Sequence, residues 1–214
     1  MVVLEMETVN QNGSTVLKYW RCPMIECGNP NADTGYNDNF DWIPERLAED
    51  QLIHSLPTTW KVKQLSEQPV NLPLNSYAVG DEISIVPQDS VTNAPELVRL
   101  TGNIAYAHTD PSKSYLGKRL VYGGHTISLA FAQVVRAIPN IINLVGWQGC
   151  DHLAPVLEED IIQSNFKISQ ILPVKVGGSL YTLQVKTTAK RLVAEDSIFS
   201  ESNVLSWDLV IWGL

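Results

Sequence analysis

The feature that most constrains this chain is the run from Gly123 to Ile138. Ile127, Leu129, Ala130, Phe131, Val134, Val135 and Ile138 fall around most of a helical circumference, with Gly123-Gly124 before the run and Pro139 after it. A helix apolar on nearly all sides is buried rather than laid on a surface. Something long enough to cover it must follow. Ile141–Trp147, Asp160–Leu172, Leu180–Val193 and Val204–Trp212 read as consecutive strands. In the last of these Leu205, Trp207, Leu209 and Ile211 keep a period of two. One buried helix followed by long antiparallel strands specifies an α+β domain in which a sheet wraps a single central helix.

The chain ahead of this unit divides in two. Val2–Val9 and Thr15–Trp20 are strand-like runs joined by Asn12-Gly13, a β-hairpin signature. A two-stranded hairpin is marginal alone, and the following residues offer it no sheet. From Asn29 to Asn75 the composition turns to Asn, Asp and Pro, with Pro57, Pro69 and Pro73 as punctuation. One short helix is expected over Pro44–Leu56, with Asp41 as its cap and Pro44 in its first turn. A second short helix is expected over Asn93–Thr101. The expected domains are a hairpin at 1–28, a linker at 29–75 and a folded domain at 76–214.

Composition narrows the partners. Among 214 residues the net charge is −8, with 44% hydrophobic and 18% charged residues, and no basic stripe is present; a nucleic-acid partner is not expected. No apolar run approaches the roughly 18 residues of a membrane span, and no basic-then-apolar leader precedes the first strand. Three cysteines without framework spacing suit free thiols and a cytoplasmic setting. Cys22 and Cys27 lack a second pair, so no metal site is expected.

Two blocks carry chemistry: Leu100-Thr-Gly-Asn-Ile-Ala-Tyr-Ala-His-Thr-Asp110 and Leu120-Val-Tyr-Gly-Gly-His-Thr-Ile-Ser-Leu129. Acid–base chemistry next to a carbonyl requires a group that takes and returns a proton and donors for the charge that builds on the oxygen. A histidine exchanges protons near neutrality. Glycines opening a helix bring free N–H groups and the positive dipole end close to a carbonyl. On local sequence alone, His108 also fits a solvated loop histidine, and Gly123-Gly124 also fits a plain helix-start turn.

The two blocks resemble the MaoC-like family of (R)-specific enoyl-CoA hydratases and dehydratases, which have the hotdog fold. The resemblance covers about residues 76–214. Tyr77-Ala-Val-Gly-Asp81 is similar to the fold's entry segment, and Pro155-Val-Leu-Glu-Glu-Asp160 to the family's Pro-Val-x-x-Gly-Asp junction. The resemblance places Asn103 at the catalytic acid position, His108 at the catalytic histidine and Gly123 at the oxyanion donor. Asp110, Tyr122, Gly124 and His125 are the expected substrate contacts. It implies reversible addition or removal of water on an acyl-CoA substrate, without a further cofactor.

Asn103 departs from the family pattern, because an amide positions water or substrate but carries no proton. Members similar to β-methylmalyl-CoA and mesaconyl-CoA dehydratases share that Asn and hold two hotdogs in one chain. On that resemblance the hairpin at 1–28 is the end of a first hotdog, most of which is absent, and a homodimer or pairing with another hotdog domain is expected. A non-catalytic acyl-binding or scaffolding subunit is the alternative. A hotdog thioesterase is disfavoured because Gly123–Ile138 contains no acidic residue. Lys113, Lys118 and Arg119 are read either as phosphate contacts or, preferentially, as a solvated cluster.

Overall fold

Four long strands in unbroken antiparallel succession form the body of the protein. A computed structural model describes residues 1–25, 27–29, 31–66, 76–193 and 198–214; Pro69 and Pro73 lie outside the described residues. The chain divides into two units, Met1–Ile43 and Pro44–Leu214.

In the first unit β1 (Leu4–Val9) and β2 (Thr15–Arg21) pair antiparallel, as the Asn-Gly turn predicts. Gly13 has φ 77°, and Asn10 Oδ1 accepts from the N–H groups of Asn12 and Ser14. One face is a polar ladder in which Trp20 Nε1 and Lys18 donate to Glu5, and Thr15 donates to Glu7. Leu4, Met6 and Leu17 lie on the other face, Met6 opposite Tyr19.

In the second unit the sheet order is β3-β6-β7-β8-β5, with β4 also paired to β6. The strands are β3 (Glu82–Ser84), β4 (Asp89–Ser90), β5 (Ile141–His152), β6 (Ile161–Pro173), β7 (Ser179–Val193) and β8 (Ile198–Gly213). The expected strands are all present. The last begins six residues before Val204, because its register on β7 continues past the bulge at Thr187/Thr188.

Helices α1 (Glu49–His54), α2 (Val62–Ser66), α3 (Ala94–Thr101), α4 (Tyr106–Thr109) and α5 (Gly123–Ala137) complete the unit. Helix α5 lies on the inner face of the sheet. Ala130, Val134 and Ile138 pack with Phe166, Ile168, Leu183, Val185, Leu205, Trp207, Leu209 and Ile211. Burying one such side chain is worth about 1.5–3 kcal/mol, so this layer is the main apolar contribution. Helix α5 is fastened as well as packed. Gln133 Nε2 donates to Asp89 Oδ2 and to the Ile162 carbonyl, and Arg136 pairs with Asp89.

Two expectations need correction. Helix α5 is not enclosed on all sides: Ser128, Ala132, Arg136 and Val135 (39% exposed) point outward, because the sheet covers only one side of it. The short helix expected over Pro44–Leu56 is confined to Glu49–His54. Asp41 does not cap it; Gln51 Oε1 accepts from the Ala48 N–H instead. Residues 44–66, which composition placed in a connection, lie against the outer face of the sheet. There Leu52, Leu56 and Val62 pack with Leu180, Val210 and Trp212, the alternate set from β7 and β8. Trp60 stacks on Trp212 with ring centroids 6.0 Å apart.

Candidate active site

The start of α5 gathers three of the chain's four histidines. Gly123 is its first residue, and helix geometry leaves the first amides without an intrahelical carbonyl. Tyr122 at the N-cap makes no side-chain cap bond. The free amides of Gly123 and Gly124 and the positive end of the helix therefore coincide. Both glycines sit close against an aromatic side chain. A methyl group on Gly123 would lie 2.7 Å from Nε2 of His152, and one on Gly124 would lie 2.6 Å from the ring of Tyr122. At each position an aromatic ring would have to shift to admit a side chain.

His108 lies on α4, a single helical turn, rather than in the irregular loop its small and polar neighbours suggest. Its N–H bonds to the Ala105 carbonyl. Its ring Nδ1 lies 2.8 Å from the Leu120 carbonyl oxygen. A carbonyl oxygen only accepts, so Nδ1 carries the proton, and in the neutral ring the lone pair is on Nε2. The ring centroid is 5.9 Å from that of Tyr122, which in turn lies over Gly124. His108, Tyr122 and the two glycines are thus contiguous.

Leu120 is itself held in place. Its N–H donates to Ala107, it bridges to Leu157, and the neighbouring Val121 N–H donates to Val156. The 155–160 turn that receives them is anchored by Asp160, 1% exposed. Asp160 accepts from Arg191 Nε and Nη2 and from the Leu157 N–H; Arg191 Nη2 also reaches the Pro155 carbonyl. Glu159 stands where the family pattern has Gly, and it keeps the backbone that glycine favours, φ 72°.

The remaining expected contacts divide. Asn103 is half-buried just after Gly102 (φ 69°), the left-handed residue that ends α3, which packs beside α4. His125 is 8% exposed; its Nδ1 has no hydrogen-bond partner among the described residues, and burial pushes its pKa below the usual imidazole value. Asp110 is turned into its own segment. It accepts from the N–H and Oγ of Ser112, and these bonds hold its carboxyl below the usual range. Arg119 is committed to Glu158. His152, which the sequence sets near the same elements and which reads there as a packing or hydrogen-bonding residue before a substrate contact, lies against the helix start. It reaches Gly123 from β5, and no local spacing reports that approach. Among the described residues no three His, Cys, Asp or Glu side chains are grouped to hold a metal ion, and no helix is long and apolar enough to cross a membrane.

No family model matches the chain. It is similar to the curated β-methylmalyl-CoA dehydratase of Chloroflexus aurantiacus, 26% identical over 197 residues, covering 86% of this chain and 53% of the relative. It is also similar to the mesaconyl-CoA hydratase of Cereibacter sphaeroides, 29% identical over 163 residues, covering 73% of this chain and 46% of the relative. The chain spans about half the length of these relatives. Among solved structures, a conserved hypothetical protein of Mycobacterium tuberculosis with a double hotdog fold superposes with a TM-score of 0.78 at 29% identity. The match covers 99% of this chain and 62% of that one. A protein of Chloroflexus aurantiacus described as a MaoC-domain dehydratase gives 0.70 at 21% identity, covering 99% and 64%. The fold is a hotdog, and the sequence similarity reaches beyond the two motif blocks, over 86% of the chain in the case of the β-methylmalyl-CoA dehydratase.

Proposed function

We propose that this hotdog protein catalyses reversible hydration of an enoyl-CoA thioester, as a MaoC-like carbon–oxygen lyase. The observation that carries this reading is the tethering of His108. With Nδ1 donating to Leu120, Nε2 is the basic nitrogen, beside a helix start that offers free amides.

In the hydration direction Nε2 takes a proton from water as its oxygen bonds to C3 of the enoyl group. The same histidine returns the proton to C2 on the same face. The carbon–carbon double bond is lost, water is consumed, and His108 ends as it began. Negative charge that develops on the thioester oxygen meets the Gly123 amide and the helix dipole. Asn103 orients the water or the substrate and moves no proton. Tyr122, Gly124 and His125 shape the acyl side, whereas Asp110 supports the loop from outside. Pairing with another hotdog domain, in a second copy or another polypeptide, belongs to this reading. So does a cytoplasmic setting, in keeping with the three free thiols.

The test follows loss of the conjugated enoyl absorbance with crotonyl- and mesaconyl-type CoA thioesters. Turnover that His108→Ala lowers by about 10²–10⁴ supports the reading; turnover that survives this substitution overturns the assignment of the base. The amide at Asn103 keeps one alternative in view, a non-catalytic acyl-binding subunit. An inert protein that gains activity on Asn103→Asp would establish that alternative.

A further inference from the structure

The nitrogen of His152 faces the same glycine that the hydratase reading makes an oxyanion donor. A methyl group on Gly123 would meet Nε2 at 2.7 Å and Cε1 at 2.9 Å, so the Nε2–Cε1 edge of the ring is turned toward the start of α5. His152 is the last residue of β5 and lies opposite Leu205 on β8. Neither of its ring nitrogens has a hydrogen-bond partner among the described residues.

The distance bounds what one ligand atom can touch. A residue's amide nitrogen lies about 2.5 Å from its own Cβ position, so Nε2 of His152 is no more than about 5 Å from the Gly123 nitrogen. An oxygen accepting from both at about 2.9 Å needs the two nitrogens within about 5.8 Å. The geometry meets that condition.

We propose that His152 is a catalytic residue of this site: its Nε2–H joins the Gly123 amide as a second donor to the thioester oxygen. The inference rests on the thioester reading above. The helix end favours the neutral ring, since an imidazolium there would face the positive pole of α5. Burial acts in the same direction, lowering the His152 pKa against the smaller opposing effect of Asp151. A neutral imidazole has one N–H to give, and on His152 it is free to point at the ligand. His108 and His152 thereby take separate tasks, one tethered through Nδ1 to move protons and the other presenting Nε2–H to hold charge.

The test compares His152→Leu, which keeps bulk without a donor, with His152→Gln, which keeps an N–H. Butyryl-CoA labelled with ¹³C at the carbonyl is saturated and cannot be hydrated, so its bound carbonyl stretch reports polarisation without turnover. The expected result is a downshifted stretch in the wild type, largely lost in His152→Leu and largely kept in His152→Gln. With an enoyl-CoA, kcat falls by about 10²–10³ in His152→Leu with little change in KM. A carbonyl stretch and kcat unchanged in a folded His152→Leu overturn the inference and leave the hydratase reading intact. A polarised carbonyl that depends on His152, in a protein that hydrates nothing, overturns the hydratase reading and leaves the donor in place. Failure of the wild type to bind butyryl-CoA overturns both.

Discussion

The Leu120 carbonyl oxygen stands 2.8 Å from Nδ1 of His108, across twelve residues of chain. This bond selects a tautomer. Neutral histidine in water prefers the proton on Nε2, whereas here it is held on Nδ1. Nitrogen-15 shifts of the imidazole at a pH where the ring is neutral are expected to report Nδ1 as the protonated nitrogen. An Nε2–H signature for His108 would contradict the geometry on which its role as base depends.

Gly123→Ala tests the closeness of His152. The added methyl must displace the imidazole or move the helix start, since 2.7 Å is inside contact distance. Overpacking of this kind costs about 1–3 kcal/mol, and a donor moved by about 1 Å costs about 10²-fold in rate. Denaturant unfolding and steady-state kinetics measure the two losses. Adding His152→Gly should recover stability.

Glu159→Gly should stabilise the fold. Glu159 holds φ 72°, where an L side chain costs about 1–2 kcal/mol, while the greater freedom of glycine in the unfolded chain returns part of that. A net gain of about 0.5–1 kcal/mol in urea unfolding is expected, with turnover unchanged. A loss of stability would mean that the Glu159 side chain contributes more than its backbone strain costs.

Burial of His125 gives stability a pH dependence of known sign. Its folded pKa lies below the unfolded value of 6.5 because desolvation penalises the charged ring. Between those two values the unfolded chain binds more protons than the folded one, so stability falls as pH drops below about 6.5. Unfolding free energies at pH 8 and pH 5.5 are expected to differ less in His125→Gln than in the wild type. An equal difference in both would remove His125 as a source.

The three thiols should separate by reactivity. Cys22 and Cys27 are exposed, whereas burial, aided by Asp151, pushes Cys150 up to about 12. Alkylation at pH 8 should label the first pair quickly and Cys150 only on unfolding. Rapid labelling of Cys150 in folded protein would show that β5 opens locally.

Much of the architecture was legible in the sequence because it rests on periodicity. The alternation of Leu205, Trp207, Leu209 and Ile211 marks the inner face of β8, and Gly123 and Pro139 bracket α5. The two motif blocks located His108 and the helix start for the same local reason. What was missed is either short or long-range. β3 and β4 hold three and two residues, too few for a pattern, and they exist because β6 receives them. The outward face of α5 is marked only by Ser128 and Arg136, because Ala132 and Val135 beside them are apolar. Leu52 and Val62 pack beneath Trp212 although their neighbours are polar. The approach of His152 to Gly123 and the tether from Leu120 to His108 arise only when separate segments meet. Asp110 caps the turn at Pro111–Lys113 through Ser112, a local role that a turn-forming residue in the loop after His108 suggests.

β6 receives β3 and β4 along one edge, so the chain from Val91 to Asp160, with every residue of the site, is a loop closed at its base by non-local pairing. The meander β6–β7–β8 needs only local turns and can fold early, whereas that loop carries the entropy of closing its ends. During synthesis Asn103, His108, Gly123 and His152 all leave the ribosome before the strands that organise them. The groups at the start of α5 are therefore set in place only when the pairing at the base of that loop closes it.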